Sequence, residues 1–395
     1  MRFLSCLVLI FLVPQIALAQ RVKLNKGKPA SRNYLAQVPY TDVQGKVIIP
    51  VEIEGRTYRF LFDTGAPNLV THELSQEISS KRLNTITVRD ANDNSQKMQV
   101  ISLPSIGIGG VYFEGVPTLV NNPDSNFIFD CFGVDGIIGS NMMRKSVVHL
   151  DSERSVFQIS NDPDNFQISG VEAIELKLSD SQSSPYMWIS LEGKGKAREY
   201  VLIDTGMQGF YDMSVKNFEK LRELNALGQS QSGVGVKSIG LFDSSEANTH
   251  YRVLIPSISI GSHEFKNVPT VTMDSDRSRI GSDILNYGKV TLDFRNSKFY
   301  FEPFDKERDL SEKSLGFSPT IKDGEVVVGI VWEEGLEERL NYGDRILRVN
   351  EVDIAAMDPC ELINKPSPFD SEETFIILFK DMESNAEFTV QLTKK

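Results

Sequence analysis

The chain has 395 residues, of which 40% are hydrophobic and 24% are charged, and it carries a formal net charge of −12 at pH 7. This length predicts two or three domains, and the apolar content is sufficient for packed cores. The acidic balance argues against nucleic acid as a partner.

The N-terminus predicts a secretory signal peptide over residues 1–19. Arg2 precedes an apolar stretch over residues 3–17, and Ala17-Leu18-Ala19 has the small-x-small pattern of a cleavage site. A membrane anchor is the alternative, but the apolar stretch is short for a spanning helix. We therefore expect a protein that is exported to the periplasm or the extracellular space.

Two expectations concern the chain beyond this leader. Residues 20–37 hold five basic residues and no acidic residue, which predicts a flexible N-terminal segment too polar to pack. The remaining cysteines, Cys131 and Cys360, fall in different predicted domains. We therefore expect no disulfide between them, and we exclude a disulfide-stapled scaffold.

A predicted β-hairpin leads to the first motif that carries chemistry. Residues 47–53 and 58–62 are apolar strands joined by a short turn. The second strand is apolar on both faces, which indicates burial, and it ends in Asp63-Thr64-Gly65. A single Asp-Thr-Gly is a weak signal, because Asp and Gly are ordinary turn residues at the end of a strand.

The neighbourhood of this motif recurs in the second half of the chain. The paired landmarks are Asp63 and Asp204, residues 103–106 and 255–258, residues 116–118 and 268–270, residues 138–140 and 280–282, and residues 148–151 and 290–293. The offset between copies is 141 residues at the acids, 152 at the two proline-containing segments and 142 at the Ile-Gly segments. The common order predicts a duplication of one β-rich unit.

Each Asp-Thr-Gly is followed by a predicted helix. Thr71 is the N-cap candidate of a short helix over residues 71–83. Ser214 caps a stronger helix, whose apolar stripe is formed by Phe218, Leu221, Leu224 and Leu227.

Residues 38–303 resemble an aspartic protease of the retropepsin-like or pepsin-like kind, with both lobes in one chain. The resemblance rests on the two hydrophobic-Asp-Thr-Gly motifs, the later hydrophobic-hydrophobic-Gly motifs and the spacing between them. It implies a mainly β fold with closed-barrel-like lobes at residues 38–165 and 170–303, whose acids meet at the floor of a cleft. The duplication by itself also predicts that equivalent residues lie near a pseudo-two-fold axis.

The resemblance implies that Asp63 and Asp204 are the catalytic pair of an endopeptidase that holds a polypeptide substrate. Amide hydrolysis needs a base for the attacking water and an acid for the leaving nitrogen. Two adjacent carboxyls cannot both ionise, so they share one proton and supply both groups, and they titrate as a unit.

The same resemblance implies supporting and substrate-binding residues around the pair. Thr64 and Thr205 are expected to bond the opposite loop, while Gly65 and Gly206 allow a tight turn and a close approach of the lobes. The predicted substrate-binding residues are Ala66, Met207, Ile138 and Ile280.

Two departures from the family pattern affect this prediction. The family usually has Ser, Thr or Ala after the glycine, which Ala66 fits, whereas Met207 offers no hydroxyl to Asp204 and its bulk could crowd the cleft. Ser140 and Ser282 stand where the retroviral branch tends to have Arg. A catalytically silent, two-lobed peptide-binding protein is therefore the alternative.

Two hairpins are candidates to close over a substrate. Residues 85–102, which have a polar tip, take the position of the family's flap. Residues 232–236 contain glycines that would allow a mobile tip. The alternative is that both are ordinary surface hairpins.

The chain changes character near its C-terminus. Residues 304–313 are charged and unpatterned, which predicts a linker. Residues 314–395 then resemble a small α+β PDZ domain of the bacterial type, through Ser-Leu-Gly-Phe at residues 314–317 and Gly-Asp-x-Ile-Leu-x-Val-Asn at residues 343–350. The resemblance implies that Leu315, Gly316 and Phe317 bind a peptide or a chain terminus. A PDZ scaffold with an inert β platform is a third alternative.

Other chemistries find little support in the sequence. Four histidines (His72, His149, His250 and His263) lack ligand spacing, so we expect no metal. No Gly-rich phosphate loop leads from a strand into a helix, and we expect no cofactor. Ser140 and Ser282 lack a paired histidine, which argues against a serine mechanism. The sequence leaves the oligomeric state open.

Overall fold

The computed structural model describes residues 22–90, 94–123, 127–179, 181–237, 247–305 and 307–395. The predicted signal peptide lies outside these residues, as does part of the tip of the first predicted hairpin. The described residues form thirty strands and five α-helices, so the predicted mainly β fold is confirmed. No helix within these ranges is long and apolar enough to span a bilayer.

Twelve strands and three helices lie in the described residues of the first lobe, whose last strand ends at Ser160. The strands are β1 (Lys28–Pro29), β2 (Leu35–Pro39), β3 (Thr41–Val43), β4 (Lys46–Ile53), β5 (Arg56–Asp63), β6 (Leu69–Val70), β7 (Lys81–Arg89), β8 (Ser95–Ile108), β9 (Val111–Val120), β10 (Gly136–Gly139), β11 (Val147–Asp151) and β12 (Val156–Ser160). The helices are α1 (His72–Glu77), α2 (Phe127–Phe132) and α3 (Ser140–Met143).

The second lobe repeats this arrangement, with one α-helix among its described residues. Its strands are β13 (Ala173–Glu175), β14 (Lys177–Leu178), β15 (Pro185–Glu192), β16 (Lys196–Asp204), β17 (Tyr211–Ser214), β18 (Ser230–Gly235), β19 (Asn248–Ile260), β20 (His263–Met273), β21 (Arg279–Gly281), β22 (Gly288–Asp293), β23 (Lys298–Pro303) and β24 (Glu307–Asp309). The helix is α4 (Val215–Glu223), and two 3-10 turns lie at Pro163–Asn165 and Ser282–Asn286.

The strand order closes each lobe on itself. In the first lobe the sheet runs β9-β6-β10-β5-β4-β8, and β8 pairs back onto β9. In the second lobe it runs β15-β16-β21-β17-β20-β19, and β19 pairs back onto β15. The two rings contain equivalent strands of the two copies, as a duplication of one β-rich unit requires.

A six-stranded sheet joins the lobes and fixes their symmetry. Its order is β13-β23-β22-β11-β12-β2, and the equivalent strands β11 and β22 pair antiparallel at its centre. His149 stands directly opposite Thr291, and its Nδ1 lies 2.8 Å from the Thr291 Oγ1. These two residues are equivalent in the repeat, so the pseudo-two-fold axis passes between them.

The two predicted helix caps are present, but the first helix is shorter than expected. Thr71 accepts a hydrogen bond from the Leu74 N–H, and Ser214 accepts one from the Lys216 N–H. Helix α1 ends at Glu77 rather than at residue 83, because the chain from Lys81 onward pairs with β8. Strand pairing therefore overrides the local helical pattern there.

The prediction of a flexible, unpacked N-terminal segment is wrong for residues 22–37. Leu24 is buried against the outer core of the first lobe, and β1 pairs with β9 while β2 pairs with β12. Tyr34 is buried, with its hydroxyl 2.8 Å from the Ser146 Oγ. Sparse apolar residues at the right positions anchor a segment whose average composition is polar.

The C-terminal module, residues 314–395, contains six strands and one α-helix, and is therefore α+β as predicted. Its elements are β25 (Phe317–Lys322), β26 (Glu325–Val331), β27 (Arg345–Val349), β28 (Val352–Asp353), α5 (Pro359–Asn364), β29 (Thr374–Lys380) and β30 (Glu387–Thr393). They enclose a separate hydrophobic core around Phe317, Phe375 and Phe379. The segment predicted as an unpatterned linker contributes β24, which pairs in parallel with β20.

The module packs on the second lobe through a hairpin that the sequence predicts to have a mobile tip. Gly235 of β18 pairs with Ile330 of β26, and the Val236 N–H donates to the Gly329 carbonyl at 3.1 Å. A Cβ added at Gly233 would lie 2.3 Å from the Val331 carbonyl oxygen. These glycines therefore serve the close approach of two strands instead of the flexibility of a tip.

A disulfide joins the module to the first lobe, which contradicts the expectation from the sequence. Cys131 of α2 is bonded to Cys360 of α5, with their Cα atoms 4.7 Å apart. The Asn364 side chain also donates to the Cys131 carbonyl at 2.8 Å. The expectation failed because it treated separate domains as separate in space, whereas the module folds back until α5 contacts α2.

Candidate active site

Two buried strands deliver Asp63 and Asp204 to the interface between the lobes. Strand β5 ends at Asp63 and β16 ends at Asp204, and the residues just before each acid are buried. The parallel partner strands are β10, with Gly139 opposite Asp63, and β21, with Gly281 opposite Asp204. Both acids therefore occupy the same position in equivalent strand pairs.

Thr64 and Thr205 cross-link the loops that follow the two acids. The Thr64 hydroxyl accepts from the Thr205 N–H at 3.1 Å and donates to the Ile203 carbonyl at 2.6 Å. The Thr205 hydroxyl accepts from the Thr64 N–H at 3.1 Å and donates to the Phe62 carbonyl at 3.0 Å. Both threonines are buried, so the four bonds fix the position of one loop relative to the other.

Gly65 and Gly206 each pack against the acid of the opposite lobe. A Cβ added at Gly65 would lie 2.6 Å from the Asp204 Cγ, and one added at Gly206 would lie 2.2 Å from the Asp63 Cγ. No side chain fits at either position without moving a carboxyl. The glycines thus allow the two acids to come together.

The two carboxyls are close enough to interact directly. Burial, together with the charge of Asp204, raises the pKa of Asp63 to about 7. The Asp63 Oδ1 also accepts from the N–H groups of Gly65 at 2.8 Å and Ala66 at 3.1 Å. The pair can therefore hold a single proton well above the pH at which an isolated carboxyl ionises.

Two cations beside the acids were not foreseen from the sequence. The Arg279 Nη1 lies 3.2 Å from the Asp204 Oδ2, and both side chains are largely buried. The Lys46 ammonium donates to the Gly206 carbonyl and is close enough to Asp63 and Asp204 to interact with their charges. The available signal was position, because Arg279 directly precedes the repeated Ile280-Gly281 and Lys46 opens the strand that pairs with β5.

The four predicted substrate-binding residues differ in their exposure to solvent. Ala66 is partly exposed beside Asp63. Met207 is buried, and its Cε packs against Gly281, 2.5 Å from where a Cβ on that glycine would lie. The Met207 side chain therefore packs against β21. Ile138 and Ile280 are fully buried in the main core, which contradicts their prediction as substrate contacts. Strand β10 lies between β5 and β6, and β21 lies between β16 and β17, so both side chains face the core.

Ser140 and Ser282 support the loops around the acids. The Ser140 hydroxyl donates to the Thr64 carbonyl at 2.8 Å, and the Ser282 hydroxyl donates to the Met207 carbonyl at 2.9 Å. Both serines are buried. The positions at which the sequence departs from the retroviral pattern thus have a structural use.

The predicted peptide-binding loop of the module contacts the second lobe. The side chains of Leu315 and Phe317 belong to the core of the module, and the Gly316 carbonyl accepts from the Trp332 N–H at 2.8 Å. Arg252 of β19 donates to the Leu315 carbonyl at 2.8 Å and to the Ser314 hydroxyl at 2.9 Å. In the described parts of the chain, no group of three or more His, Cys, Asp and Glu side chains is arranged to hold a metal ion.

Comparison with known proteins gives a match in the first lobe. A family model described as aspartyl protease matches residues 49–142, which run from β4 to α3 and include the first Asp-Thr-Gly. No curated protein matches the sequence. Among solved structures 361 chains match, including the aspartic proteinase from Irpex lacteus, at 12% identity and a TM-score of 0.44 over 69% of this chain and 98% of that chain.

Proposed function

We propose that the protein is an aspartic-type endopeptidase in which Asp63 and Asp204 together activate a water molecule. The observation that carries this proposal is the facing pair of carboxyls, each packed against the glycine of the opposite loop and held by reciprocal threonine bonds across a pseudo-two-fold axis. The match of residues 49–142 to an aspartyl protease model supports the same reaction class.

The chemistry follows from a pair that holds one proton. The ionised carboxyl takes a proton from water as the water oxygen attacks the peptide carbonyl carbon. The protonated carboxyl then gives its proton to the nitrogen as the carbon–nitrogen bond breaks. The products are a carboxylic acid and an amine, and the pair still holds one proton, which now lies on the carboxyl that took it from water and passes back to the other carboxyl before the next turnover.

The state of this proton sets the expected pH dependence. Because the pKa of Asp63 is raised to about 7, the pair keeps its proton in mildly acidic solution and loses it as the pH rises through about 7. We therefore expect kcat/KM to fall on the alkaline side with an apparent pKa near 7. A rate that stays constant from pH 5 to pH 9 would contradict this assignment.

The substrate in this proposal is an extended polypeptide. Its backbone would pair with hairpin edges beside the cleft, and side-chain pockets would give preference. The hairpin of β7 and β8 is the first candidate to cover the substrate, because it takes the position of the family's flap.

We further infer that the C-terminal module is a PDZ-like domain that captures a peptide or a chain terminus. Within the described residues β25 pairs with β26 alone, which leaves its other edge for an added strand. Since Leu315 and Phe317 are buried, the backbone at the free edge of β25, and not these side chains, would make the contact. An Asp63→Asn protein that binds amidated and free-carboxyl peptides equally would contradict capture of a terminus.

Export is part of the proposal. The disulfide between Cys131 and Cys360 is of the kind that persists in oxidising compartments such as the periplasm. The N-terminal signal pattern favours the same location.

The test is digestion of an unfolded protein by the purified chain and its variants. Asp63→Asn and Asp204→Asn should each lower kcat/KM by about 100-fold or more, because each removes one partner of the proton exchange. The control is Asp323→Asn, at an exposed turn where φ is 52° and Asn is well tolerated. Cleavage that survives both active-site substitutions at the wild-type rate would exclude the pair as the catalyst.

A further inference from the structure

The surroundings of the two acids are less symmetric than their backbone. Asp63 accepts from two consecutive backbone N–H groups, those of Gly65 and Ala66. Asp204 accepts from the Gly206 N–H at 3.1 Å, but the next N–H, that of Met207, bonds the Asp204 main-chain carbonyl at 3.0 Å. In place of the second backbone donor, the Asp204 Oδ2 receives the Arg279 guanidinium at 3.2 Å.

A second asymmetry lies in the side chains that donate hydrogen bonds to the carbonyls of Gly65 and Gly206. The Gln182 side chain donates to the Gly65 carbonyl at 2.9 Å, and the Lys46 ammonium donates to the Gly206 carbonyl. Each bond runs from the hairpin of one lobe to the active-site loop of the other. The two contacts are alike in geometry, but only the one from Lys46 brings a positive charge to the pair.

We propose that Arg279 and Lys46 are positioning residues that make the two acids unequal, so that Asp204 is the carboxylate and Asp63 carries the shared proton. This inference rests on the proposed function, because it assigns the base and the acid of that reaction. Asp204 then takes the proton of the attacking water, and Asp63 protonates the leaving nitrogen.

Geometry and charge both favour this assignment. A guanidinium in contact with a largely buried carboxylate stabilises the charged form of that carboxylate. Burial and the Asp204 charge raise the pKa of Asp63, while Lys46 opposes this rise. Arg279 therefore acts mainly on the first ionisation of the pair and Lys46 mainly on the second.

The other titratable groups near the pair are either ion-paired elsewhere or have a raised pKa, so that they stay neutral to a higher pH. Asp212 is ion-paired with Lys237 at 2.5 Å. Burial raises the pKa of Asp283, which faces Lys46 from the 3-10 turn after β21. Burial also raises the pKa of Tyr186, a residue of β15 that lies near Arg279. None of these groups replaces Arg279 at the Asp204 Oδ2.

The experiment is a carbon-13 NMR titration of the aspartate carboxyls in the whole chain, without substrate, combined with pH profiles of kcat/KM. Arg279→Gln should raise the lower apparent pKa of the pair by about 1–3 pH units. Lys46→Gln offers an amide donor without a charge, and it should raise the upper apparent pKa. Asp63→Asn identifies the signals of the pair.

Two controls separate charge from structure. Gln182→Ala removes the equivalent bond to Gly65 without a change of charge, so it should lower the rate but leave both apparent pKa values in place. Arg279→Lys keeps the charge and should restore most of the wild-type titration. Each variant is first compared with wild type by its unfolding midpoint, and Lys46→Gln tests the assignment independently if Arg279→Gln does not fold.

The outcomes distinguish this inference from the proposed function. If the variants shift the titration as expected but no chain cleaves any protein, the charge assignment stands and the peptidase proposal fails. If the wild-type chain cleaves protein and the titrations of Arg279→Gln and Lys46→Gln superimpose on that of wild type, the inference is overturned. A shift as large in Gln182→Ala would also overturn it, because the effect would then come from the lost bond.

Discussion

Substitution of Gly206 by alanine tests whether the close approach of the lobes produces the acid pair. The added Cβ would lie 2.2 Å from the Asp63 Cγ and from its Oδ2, whereas an ordinary van der Waals contact begins at 3.4 Å. The two groups must therefore separate by about 1.2 Å, the difference between these distances. The φ angle of Gly206 lies outside the left-handed region, so alanine suits the backbone and the effect arises from the collision.

The expected result is a large loss of rate from a small displacement. A misplacement of about 1 Å at a reacting group costs about 100-fold in rate. We therefore expect Gly206→Ala to lower kcat/KM by at least about 100-fold on a quenched fluorescent peptide. Gly65→Ala should have a smaller effect, because its Cβ would lie 2.6 Å from the Asp204 Cγ and requires a shift of about 0.8 Å.

Gly209 provides the matched control for this substitution. It lies three residues further along the same loop, its φ is +93°, and an added Cβ would meet nothing within 4 Å. Gly209→Ala should therefore cost about 1–2 kcal/mol in stability through backbone strain, with little effect on the rate of the folded enzyme. Wild-type activity in Gly206→Ala, or equal losses in both variants, would refute the argument from close packing.

Two further substitutions test the parts that hold the site and the module. Cys131→Ser removes the disulfide to Cys360. Because the linked residues are 229 positions apart, the chain-entropy model gives a stability loss of up to about 5 kcal/mol. Equal unfolding midpoints in urea for this variant and the oxidised wild type would contradict a stabilising role of the disulfide. Thr205→Val leaves the Phe62 carbonyl and the Thr64 N–H buried without this partner, at a cost of about 1–3 kcal/mol each. Thr205→Ser keeps the hydroxyl and should retain both stability and rate, and if it loses as much stability as Thr205→Val the hydroxyl is not the cause.

The duplication of the β-rich unit could be predicted because it depends on local sequence patterns. The strands before Asp63 and Asp204 are apolar on both faces, and the landmarks recur in one order with nearly equal offsets. A repeat that packs on itself must bring its equivalent residues together at the axis. The pairing of His149 with Thr291 and the crossed hydrogen bonds of the two threonines are the physical results of that rule.

The missed features all depend on contacts between parts that are distant in sequence. The polar segment before β2 packs because Leu24 joins a hydrophobic cluster that includes Leu119 and Phe132, and because the Tyr34 hydroxyl reaches the Ser146 Oγ, and composition reveals neither contact. The disulfide forms because α5 returns to α2 after the whole second lobe. The motif alone predicts Ile138 and Ile280 at the cleft, although strands paired on both sides bury them.

The division between symmetric and asymmetric positions has a physical cause. At the axis each residue contacts its own equivalent or the neighbours of that equivalent. A substitution in one lobe therefore alters the contacts of both lobes. Thr64 with Thr205 and Gly65 with Gly206 are under this constraint, since each bonds or packs against the opposite loop. One residue further from the axis the constraint ends, and Met207 differs from Ala66.

Divergence away from the axis is what allows the two acids to have different roles. With Met207 in place, Asp204 has one backbone donor where Asp63 has two, and Arg279 supplies the missing charge-stabilising contact from β21. An exchange at this point tests that dependence: Met207→Ala should leave the Arg279 contact intact and change the titration of the pair by less than Arg279→Gln does. A larger shift from Met207→Ala, measured by the same carbon-13 titration, would show that the loop and not the guanidinium makes the acids unequal.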